Sequence, residues 1–318
     1  QPFMHVSVNK LDEKIIRLWA TSFQSLSNSA TMKQHWWLHK WLRKHFLSDF
    51  MVRRFFSRSK AAELTHMSVI TKRARKLQVK LLDWVYPPNC LACDSPIDMA
   101  DGLCGSCWQN LRFISKPYCP ILGIPFAADM GADIVSAQAI ASPPPYYRAR
   151  AAVLYDDLAR SLVSQFKYGD RLEVAKLLAC LMVQAGGDYW GESCVLVPVP
   201  LHWRRRLFRK YNQSQLLADH LAKETGAKVA SDWVNRVKST RQQVGLTSKE
   251  RESNVRGAFK LTDKFLERYQ GEHIVIIDDV VTTGATIEAI ARCFPAKYRD
   301  KVNVLSFARV VSDPIGAI

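Results

Sequence analysis

The stretch that determines the fold of this chain reads Ile274-Val275-Ile276-Ile277-Asp278-Asp279-Val280-Val281-Thr282-Thr283-Gly284-Ala285-Thr286. Its four leading apolar residues predict a strand that is buried on both faces, as the strands of parallel sheets are. Two adjacent carboxylates come at the carboxyl end of that strand, where α/β sheets bind their ligands. A helix from Ile287 onward would complete a strand–turn–helix unit with its turn facing a ligand.

The turn between this strand and this helix has the composition of a phosphate-binding loop. The start of a helix offers unpaired backbone N–H groups and the positive end of the helix dipole. Hydroxyl side chains add further donors, and a glycine lets the backbone approach a ligand closely. We therefore predict phosphate binding by Thr282, Thr283, Gly284, Ala285 and Thr286.

The two carboxylates, Asp278 and Asp279, would then face a sugar diol or a hydrated Mg²⁺ ion, which prefers a few carboxylates and several waters. An Asp-Asp pair after a strand has two other interpretations: a helix cap in a solvated turn, or the Walker B strand of a P-loop protein. No Gly-x-x-x-x-Gly-Lys-Ser/Thr sequence occurs in the chain, which excludes the P-loop class. The solvated turn is the remaining structural alternative.

Strands alternate with helices on both sides of this segment. The residue patterns predict strands at 151–155, 194–199, 273–278 and 302–310, and helices at 157–166, 172–185 and 213–223. Such alternation is typical of α/β proteins, in which right-handed βαβ units build a parallel sheet flanked by helices. We predict that fold class here.

Eight cysteines occur in the chain, and four of them form two Cys-x-x-Cys pairs separated by ten residues. The pairs are Cys90 with Cys93 and Cys104 with Cys107. Four thiolates complete a closed tetrahedral Zn²⁺ site, which predicts a small structural zinc ribbon. Redox-active or disulfide pairs are the alternatives. A secreted disulfide framework would be patterned differently in a chain of this length, so we expect a reducing cytoplasm.

The positive charge of the chain is concentrated near its start. Residues 1–86 contain 16 Lys and Arg against 5 Asp and Glu, a net +11 out of +16 for the whole chain. A basic and aromatic stretch at 35–47 would suit a membrane surface or nucleic acid, or it belongs to a poorly ordered or non-native leader. No apolar run reaches the ~18 residues that a transmembrane helix needs.

These patterns suggest four regions. Residues 1–66 form a basic helical extension, 67–120 a helix with the zinc ribbon, 121–147 a linker rich in Pro, Ala and Gly, and 148–318 the α/β domain.

Three further stretches give the chain a family resemblance. They are Phe166-Lys167-Tyr168-Gly169-Asp170, then Val197-Pro198-Val199-Pro200-Leu201 with residues 204–213, and finally residues 240–259. Together with the strand and loop of 274–286, they resemble the ComF family (the ComF/GntX group), over roughly residues 80–311. The resemblance implies a type I phosphoribosyltransferase-like domain that follows a zinc ribbon.

The resemblance also implies roles for individual residues. Asp278 and Asp279 would meet the ribose hydroxyls and Mg²⁺ of phosphoribosyl pyrophosphate, and the loop 282–286 would hold its 5′-phosphate. Pro200 and Leu201 would lie near the pyrophosphate, and residues 239–256 would form a mobile hood. An ordinary surface loop is the alternative for that last segment.

The biological role implied by the resemblance is uptake of single-stranded DNA during natural transformation, alongside a helicase-like competence ATPase. The chain would be either a phosphoribosyltransferase (a glycosyltransferase) or a non-enzymatic DNA-binding factor. Arg204, Arg205 and Arg206 would then lie near pyrophosphate or DNA, or form a solvated surface. ComF-like proteins often have a second Cys-x-x-Cys pair, but Leu122 stands where Cys119 would need a partner, so a second zinc is not expected.

Overall fold

The computed structural model describes residues 88–129, 131, 134–168, 171–190, 193–201, 211–238 and 248–311. All of these belong to one compact unit, Val79–Ile318. The basic extension predicted at 1–66, the basic run at 204–206 and the first half of the predicted hood, 239–247, lie outside the described residues.

Seven strands occur in the described part of the chain. They are β1 Arg148–Leu154, β2 Cys194–Pro198, β3 Lys228–Val229, β4 Val234–Arg236, β5 Phe259–Leu261, β6 His273–Val281 and β7 Val302–Arg309. Five of them form one sheet in the order β1-β7-β6-β2-β3, and every neighbouring pair in it is parallel. The strands β4 and β5 form a separate antiparallel pair.

The helices of the described residues are α1 Gly105–Asn110, α2 Ala137–Ala141, α3 Asp157–Tyr168, α4 Leu172–Ala185, α5 Gln213–Thr225, α6 Ser248–Val255, α7 Asp263–Arg268 and α8 Ala285–Ala291, of which α1 and α2 precede β1. Two short 3₁₀ turns lie at Gly187–Tyr189 and Ala296–Lys301. This parallel sheet flanked by helices is the α/β fold that the sequence predicts. No helix in the described ranges has both the length and the apolar character that crossing a membrane requires.

The helices cover the sheet because their apolar residues recur at helical spacing. In α3, Ala159, Leu162, Val163 and Phe166 are buried, and the Asp156 side chain accepts a hydrogen bond from the Ala159 N–H at the helix start. Together with α4 and α5, this helix forms the core on one face of the sheet. The second core, on the other face, includes α8 and the β4–β5 pair.

The central strand β6 is buried on both faces, as its unbroken apolar run predicts. Val275 and Ile277 belong to the core under α3–α5, whereas Ile274 and Ile276 belong to the opposite core, and all four are fully buried. Alternation of side chains along a strand explains this division. The sheet therefore holds the carboxyl end of β6 in a fixed position between two packed layers.

The segment before the domain runs along the outer edge of the sheet. The N–H of Ile114 donates to the Ala152 oxygen, and the N–H of Leu154 donates to the Arg112 oxygen. Farther along, the N–H of Ala149 donates to the Ile121 oxygen. The exposed side of β1 is therefore paired with chain from the cysteine-containing region.

Candidate functional site

The two aspartates lie at the carboxyl end of β6, where side chains from two helices meet them. The Lys167 ammonium at the end of α3 lies 2.7 Å from Asp279 Oδ2. The Ser214 hydroxyl at the start of α5 donates to Asp278 Oδ1 at 3.1 Å, and the Asp279 N–H donates to the same oxygen at 3.0 Å. Three elements that are distant in sequence therefore hold the carboxylate pair.

Among the described residues, the two carboxylates share one cation, Lys167. Asp279 is 7% exposed, and its one described ion-pair partner is Lys167. Burial, and next the neighbouring charge of Asp279, raise the pKa of Asp278 to about 7, although Lys167 and the donors from Asp279 and Ser214 oppose this. A cation with a preference for oxygen ligands would relieve the repulsion, and Mg²⁺ is such a cation.

The loop between β6 and α8 has the backbone that the sequence predicts for a tight approach to a ligand. Gly284 has φ +84°, a left-handed conformation in which other residues are strained. The Ala285 N–H, the first of α8, points to the Thr283 hydroxyl at 3.5 Å. Thr283 is exposed, so its hydroxyl is accessible to a ligand, whereas Ala285 is buried. This arrangement fits a phosphate group.

The neighbouring strand β2 ends beside the aspartates. Pro198 is paired with Ile277, and the Val199 N–H donates to the Ile277 oxygen at 3.0 Å. Pro200 and Leu201 therefore continue along the same edge of the sheet as Asp278. The Asn212 side chain donates to the Val199 oxygen, while its Oδ1 is buried with no hydrogen-bond partner among the described residues. An unpaired acceptor at this edge would be satisfied by a donor from a ligand or water.

The structure adds two residues to the candidate site that the sequence analysis did not assign. Lys167 lies in the Phe-Lys-Tyr-Gly-Asp stretch used for the family resemblance. Its position directly after Phe166, at the end of a predicted helix, is the one sequence feature that could have indicated a role at the site. Ser214 follows Asn212 and Gln213 at the start of α5 and carries no pattern of its own.

The four cysteines of the two Cys-x-x-Cys pairs come together in the region before the sheet. Their Sγ atoms all lie within 4.8 Å of one another, and those of Cys93 and Cys104 are 3.7 Å apart. Tetrahedral zinc with Zn–S bonds of about 2.3 Å places its sulfurs about 3.8 Å apart. The geometry therefore fits a closed four-thiolate zinc site at Cys90, Cys93, Cys104 and Cys107.

Hydrogen-bond donors surround the sulfurs of this cluster. The N–H groups of Ala92 and Cys104 point to Cys90 Sγ, at 3.5 and 3.3 Å, as donors around metal-bound sulfur do. Hydrogen bonds from Ser95 lower the pKa of Cys93 to about 6, whereas burial raises the pKa of Cys107. A zinc ion would overcome the second effect, because coordination deprotonates a thiol.

Comparison with known proteins agrees with this geometry. A family model described as a double zinc ribbon domain matches residues 81–138. The DNA utilization protein YhgH of Salmonella typhimurium is 33% identical over 215 residues, which cover 65% of this chain and 90% of the relative. Competence protein F of Haemophilus influenzae is 27% identical over 230 residues, covering 70% of this chain and 96% of the relative.

The chain belongs to the ComF family. The competence protein ComFC of Bacillus subtilis, 26% identical over 247 residues, covers 70% of this chain, and the match takes in 95% of that relative. The ComF assignment confirms the family that the sequence motifs indicate, including the zinc ribbon that precedes its phosphoribosyltransferase-like sheet.

Proposed function

We propose that this ComF protein binds phosphoribosyl pyrophosphate with Mg²⁺ at the carboxyl edge of its sheet and acts in DNA utilization and uptake. The observation that carries the proposal is the carboxylate pair Asp278–Asp279 at the end of the central strand, with Lys167 as its counter-ion and Ser214 as its donor. A carboxylate pair followed by a threonine- and glycine-rich loop suits a ribose phosphate. The ribose hydroxyls need acceptors, which the carboxylates supply, and the phosphate oxygens need donors, which the loop supplies.

Each part of the edge would contribute differently to such a ligand. Asp278 and Asp279 would accept hydrogen bonds from the ribose hydroxyls and from the waters of Mg²⁺. The loop 282–286 would donate backbone N–H and hydroxyl groups to the 5′-phosphate, which Gly284 allows to come close. Mg²⁺, when bound, would supply positive charge for the pyrophosphate oxygens. Pro200 and Leu201 would border the pyrophosphate.

If the protein is catalytic, a nitrogen nucleophile would attack C1 of the ribose and pyrophosphate would leave. The residues at this edge need no covalent role in that reaction, because holding the sugar and stabilising the departing charge lower the barrier. A pyrophosphate-release screen against common nucleobases and simple amines tests this part. Release in the wild type that disappears in Asp279→Asn would identify the chain as a phosphoribosyltransferase.

Ligand binding is tested by thermal unfolding. Phosphoribosyl pyrophosphate with Mg²⁺ at about 100 times its dissociation constant should stabilise the folded state by about 2.7 kcal/mol. The gain should vanish in Asp278→Asn and persist in Asp300→Asn, a matched change at an exposed carboxylate. An unchanged wild-type melting curve at millimolar ligand would refute the binding site.

The role in DNA uptake is supported by the relatives, whose names refer to DNA utilization and to competence. On this proposal the protein works in the cytoplasm with single-stranded DNA and a helicase-like ATPase. Its affinity for a single-stranded oligonucleotide should fall with salt and fall again when Arg204, Arg205 and Arg206 are neutralised. An affinity that responds to neither change would count against contact with DNA through these residues.

A further inference from the structure

Residues 117–126 repeat three backbone hydrogen bonds of the turn at residues 88–97. In the first turn, the N–H of Cys90 donates to the Ser95 oxygen and that of Asp94 donates to the Cys90 oxygen, at 2.7 and 3.0 Å. In the second turn, the equivalent bonds run from Cys119 to the Ile124 oxygen and from Gly123 to the Cys119 oxygen, both at 2.8 Å. The residues are offset by a constant 29 positions, as Cys90 and Cys119 illustrate.

Two further features of the turns coincide. The outer hydrogen bonds correspond, from the Ile97 N–H to the Pro88 oxygen and from the Phe126 N–H to the Pro117 oxygen. The left-handed position is also the same, with φ +59° at Asp94 and +66° at Gly123. The two segments therefore have one backbone design.

The short helix that follows each turn is repeated as well. Cys104 begins α1 and its N–H points to Cys90 Sγ at 3.3 Å, while Ser136 begins α2 and its N–H points to Cys119 Sγ at 3.4 Å. The helix-start bond is the same too: the side chain of Cys104 accepts from the Cys107 N–H, and that of Ser136 accepts from the Ala139 N–H, both at 3.4 Å.

This correspondence identifies the four positions that would hold a second metal. Cys119, Leu122, Ser136 and Ala139 occupy the places of Cys90, Cys93, Cys104 and Cys107 respectively. Three of the four are not zinc ligands of any structural site. Leu122 and Ala139 are 5% and 2% exposed, and both belong to the core on that face of the sheet.

Hydrogen bonds hold Cys119 where a metal would otherwise hold it. Its sulfur is fully buried and accepts from the Leu122 N–H, the Ser136 N–H and the Ser136 hydroxyl. Burial raises the pKa of the Cys119 thiol, but these donors outweigh it, so the pKa is lowered overall. The turn is also fixed from outside, because Arg150 donates to the Pro120 oxygen at 2.9 Å.

We propose that residues 117–141 are a second ribbon that folds without metal, so that the protein holds one zinc ion although the matching family model describes a double zinc ribbon. Apolar contacts of Leu122 and Ala139 and hydrogen bonds to Cys119 replace the four metal–sulfur bonds. Because the backbone retains the metal-binding arrangement, restoring three thiols should restore a metal site.

Elemental analysis of purified protein tests the proposal. Wild type should contain about one zinc per chain, Cys119→Ala should still contain about one, and Cys90→Ser should contain almost none. The triple variant Leu122→Cys, Ser136→Cys, Ala139→Cys should contain about two zinc ions per chain. Adding Cys119→Ala to that variant should weaken retention of the second ion in a chelator competition.

Two results would overturn the proposal. One is a second zinc in the wild type that Cys119→Ala removes. The other is a triple variant that has a native circular dichroism spectrum but still contains only one zinc. That result would show that the backbone of the second ribbon does not retain a metal-binding arrangement. If the triple variant does not fold, the wild-type and Cys119→Ala zinc contents decide the matter alone.

A cavity of about 680 Å³ supports a second inference, which rests on the proposed role in DNA uptake. It opens between the second ribbon and the start of β1, and its lining includes Lys116, Tyr118, Tyr147, Arg148 and Arg150. The ring of Tyr147 is on the surface, since the residue is 54% exposed. Lys116 is exposed and has no ion-pair partner in the described ranges.

The arginines of this cavity are incompletely neutralised. Asp188 lies 3.9 Å from Arg148 and 4.0 Å from Arg150, at the limit of an ion pair, and Asp129 is the other acid in the lining. Arg150 is 8% exposed, and its Nε has no hydrogen-bond partner among the described residues. Cations beside an exposed aromatic ring are the combination that binds single-stranded nucleic acid, through phosphate contact and base stacking.

We infer that the cavity binds one nucleotide unit of single-stranded DNA, with a base against Tyr147 and a phosphate near Lys116 and Arg148. Fluorescence anisotropy with a labelled oligo-dT should show a roughly tenfold loss of affinity in Tyr147→Ala and in the double variant Lys116→Ala, Arg148→Ala. Arg299→Ala, an exposed cation elsewhere, should bind as the wild type does. Free dTMP at millimolar concentration should compete with the oligonucleotide, and a failure to compete would contradict a cavity that holds one nucleotide unit.

The outcomes separate this inference from the DNA role itself. Wild-type binding that none of the cavity variants weakens would refute the cavity as the contact surface and leave the DNA role standing. A wild type that binds neither oligo-dT nor dTMP would refute both.

Discussion

Replacing Asp278 by asparagine should make the protein more stable at alkaline pH while removing a residue of the proposed ligand site. The hydrogen bonds at this position do not depend on charge, because the Ser214 hydroxyl and the Asp279 N–H both donate to Oδ1. An amide oxygen accepts the same two bonds. The main change is therefore the loss of a negative charge next to Asp279.

The size of the effect follows from the pKa of Asp278, which rises from 3.8 to about 7 on folding. Below pH 3.8 the carboxyl is protonated in both states, so it does not affect stability. Between these two pKa values the unfolded chain releases the proton and the folded chain retains it, so stability falls as pH rises, by at most ~1.4 kcal/mol per pH unit. Above pH 7 the cost is constant, near ~4 kcal/mol at its upper limit.

Water reaches part of the Asp278 side chain and reduces this cost, so we expect Asp278→Asn to be more stable by about 1–3 kcal/mol at pH 8. For a domain of this size that difference raises the melting temperature by about 3–10 °C. The gain should shrink markedly at pH 5, where most of the wild-type carboxyl is protonated in the folded state.

Denaturant unfolding at pH 5 and pH 8, with zinc present, measures both values. Asp278→Ala is the control, since it removes the charge and the acceptor together and should gain less. The explanation fails if Asp278→Asn is no more stable than the wild type at pH 8, or if its advantage is the same at both pH values.

Three other changes should have measurable effects. Lys167→Met should destabilise the protein by about 1–3 kcal/mol at pH 8, because Asp279 loses its counter-ion, and a double variant with Asp279→Asn should recover most of that loss in a denaturant titration. Gly284→Ala should cost roughly 1–2 kcal/mol, since φ is +84° there, and should also weaken the ligand-induced rise in melting temperature. Cys90→Ser should lose the zinc and lower the melting temperature, and added zinc should not restore it, in contrast to wild type stripped by a chelator.

Much of the fold could be predicted because the signals are local. The helix Leu172–Ala185 has the predicted bounds, and β6 begins at the predicted residue. The strand runs on past the aspartates to Val281, because Val280 and Val281 pair with β7. From the sequence alone, the two aspartates look like the end of the strand, because its pairing with β7 is not known.

The remaining differences arise from contacts between distant parts of the chain. The strands β3, β4 and β5 have two or three residues each, too few to show alternation. The residues of the loop 282–286 are contiguous and could be predicted as a group. Lys167 and Ser214 join the aspartates only through the packing of α3 and α5 on the sheet, and no spacing in the sequence encodes that. Similarly, Ser136 and Ala139 are not part of a Cys-x-x-Cys pair, so their correspondence to Cys104 and Cys107 can be recognised only from the backbone hydrogen bonds.

The pairing of residues 112–114 and 121 with the outer side of β1 also has a consequence for self-association. An uncovered edge strand offers its backbone groups to other molecules. Here the cover comes from residues 112–114, between the two ribbons, and from Ile121 in the second ribbon. Because zinc organises the ribbon before residues 112–114, stripping the metal would free the part of the edge that these residues cover, and the metal-depleted chain would be prone to form intermolecular β-structure. Zinc in this protein would thus protect solubility as well as local shape.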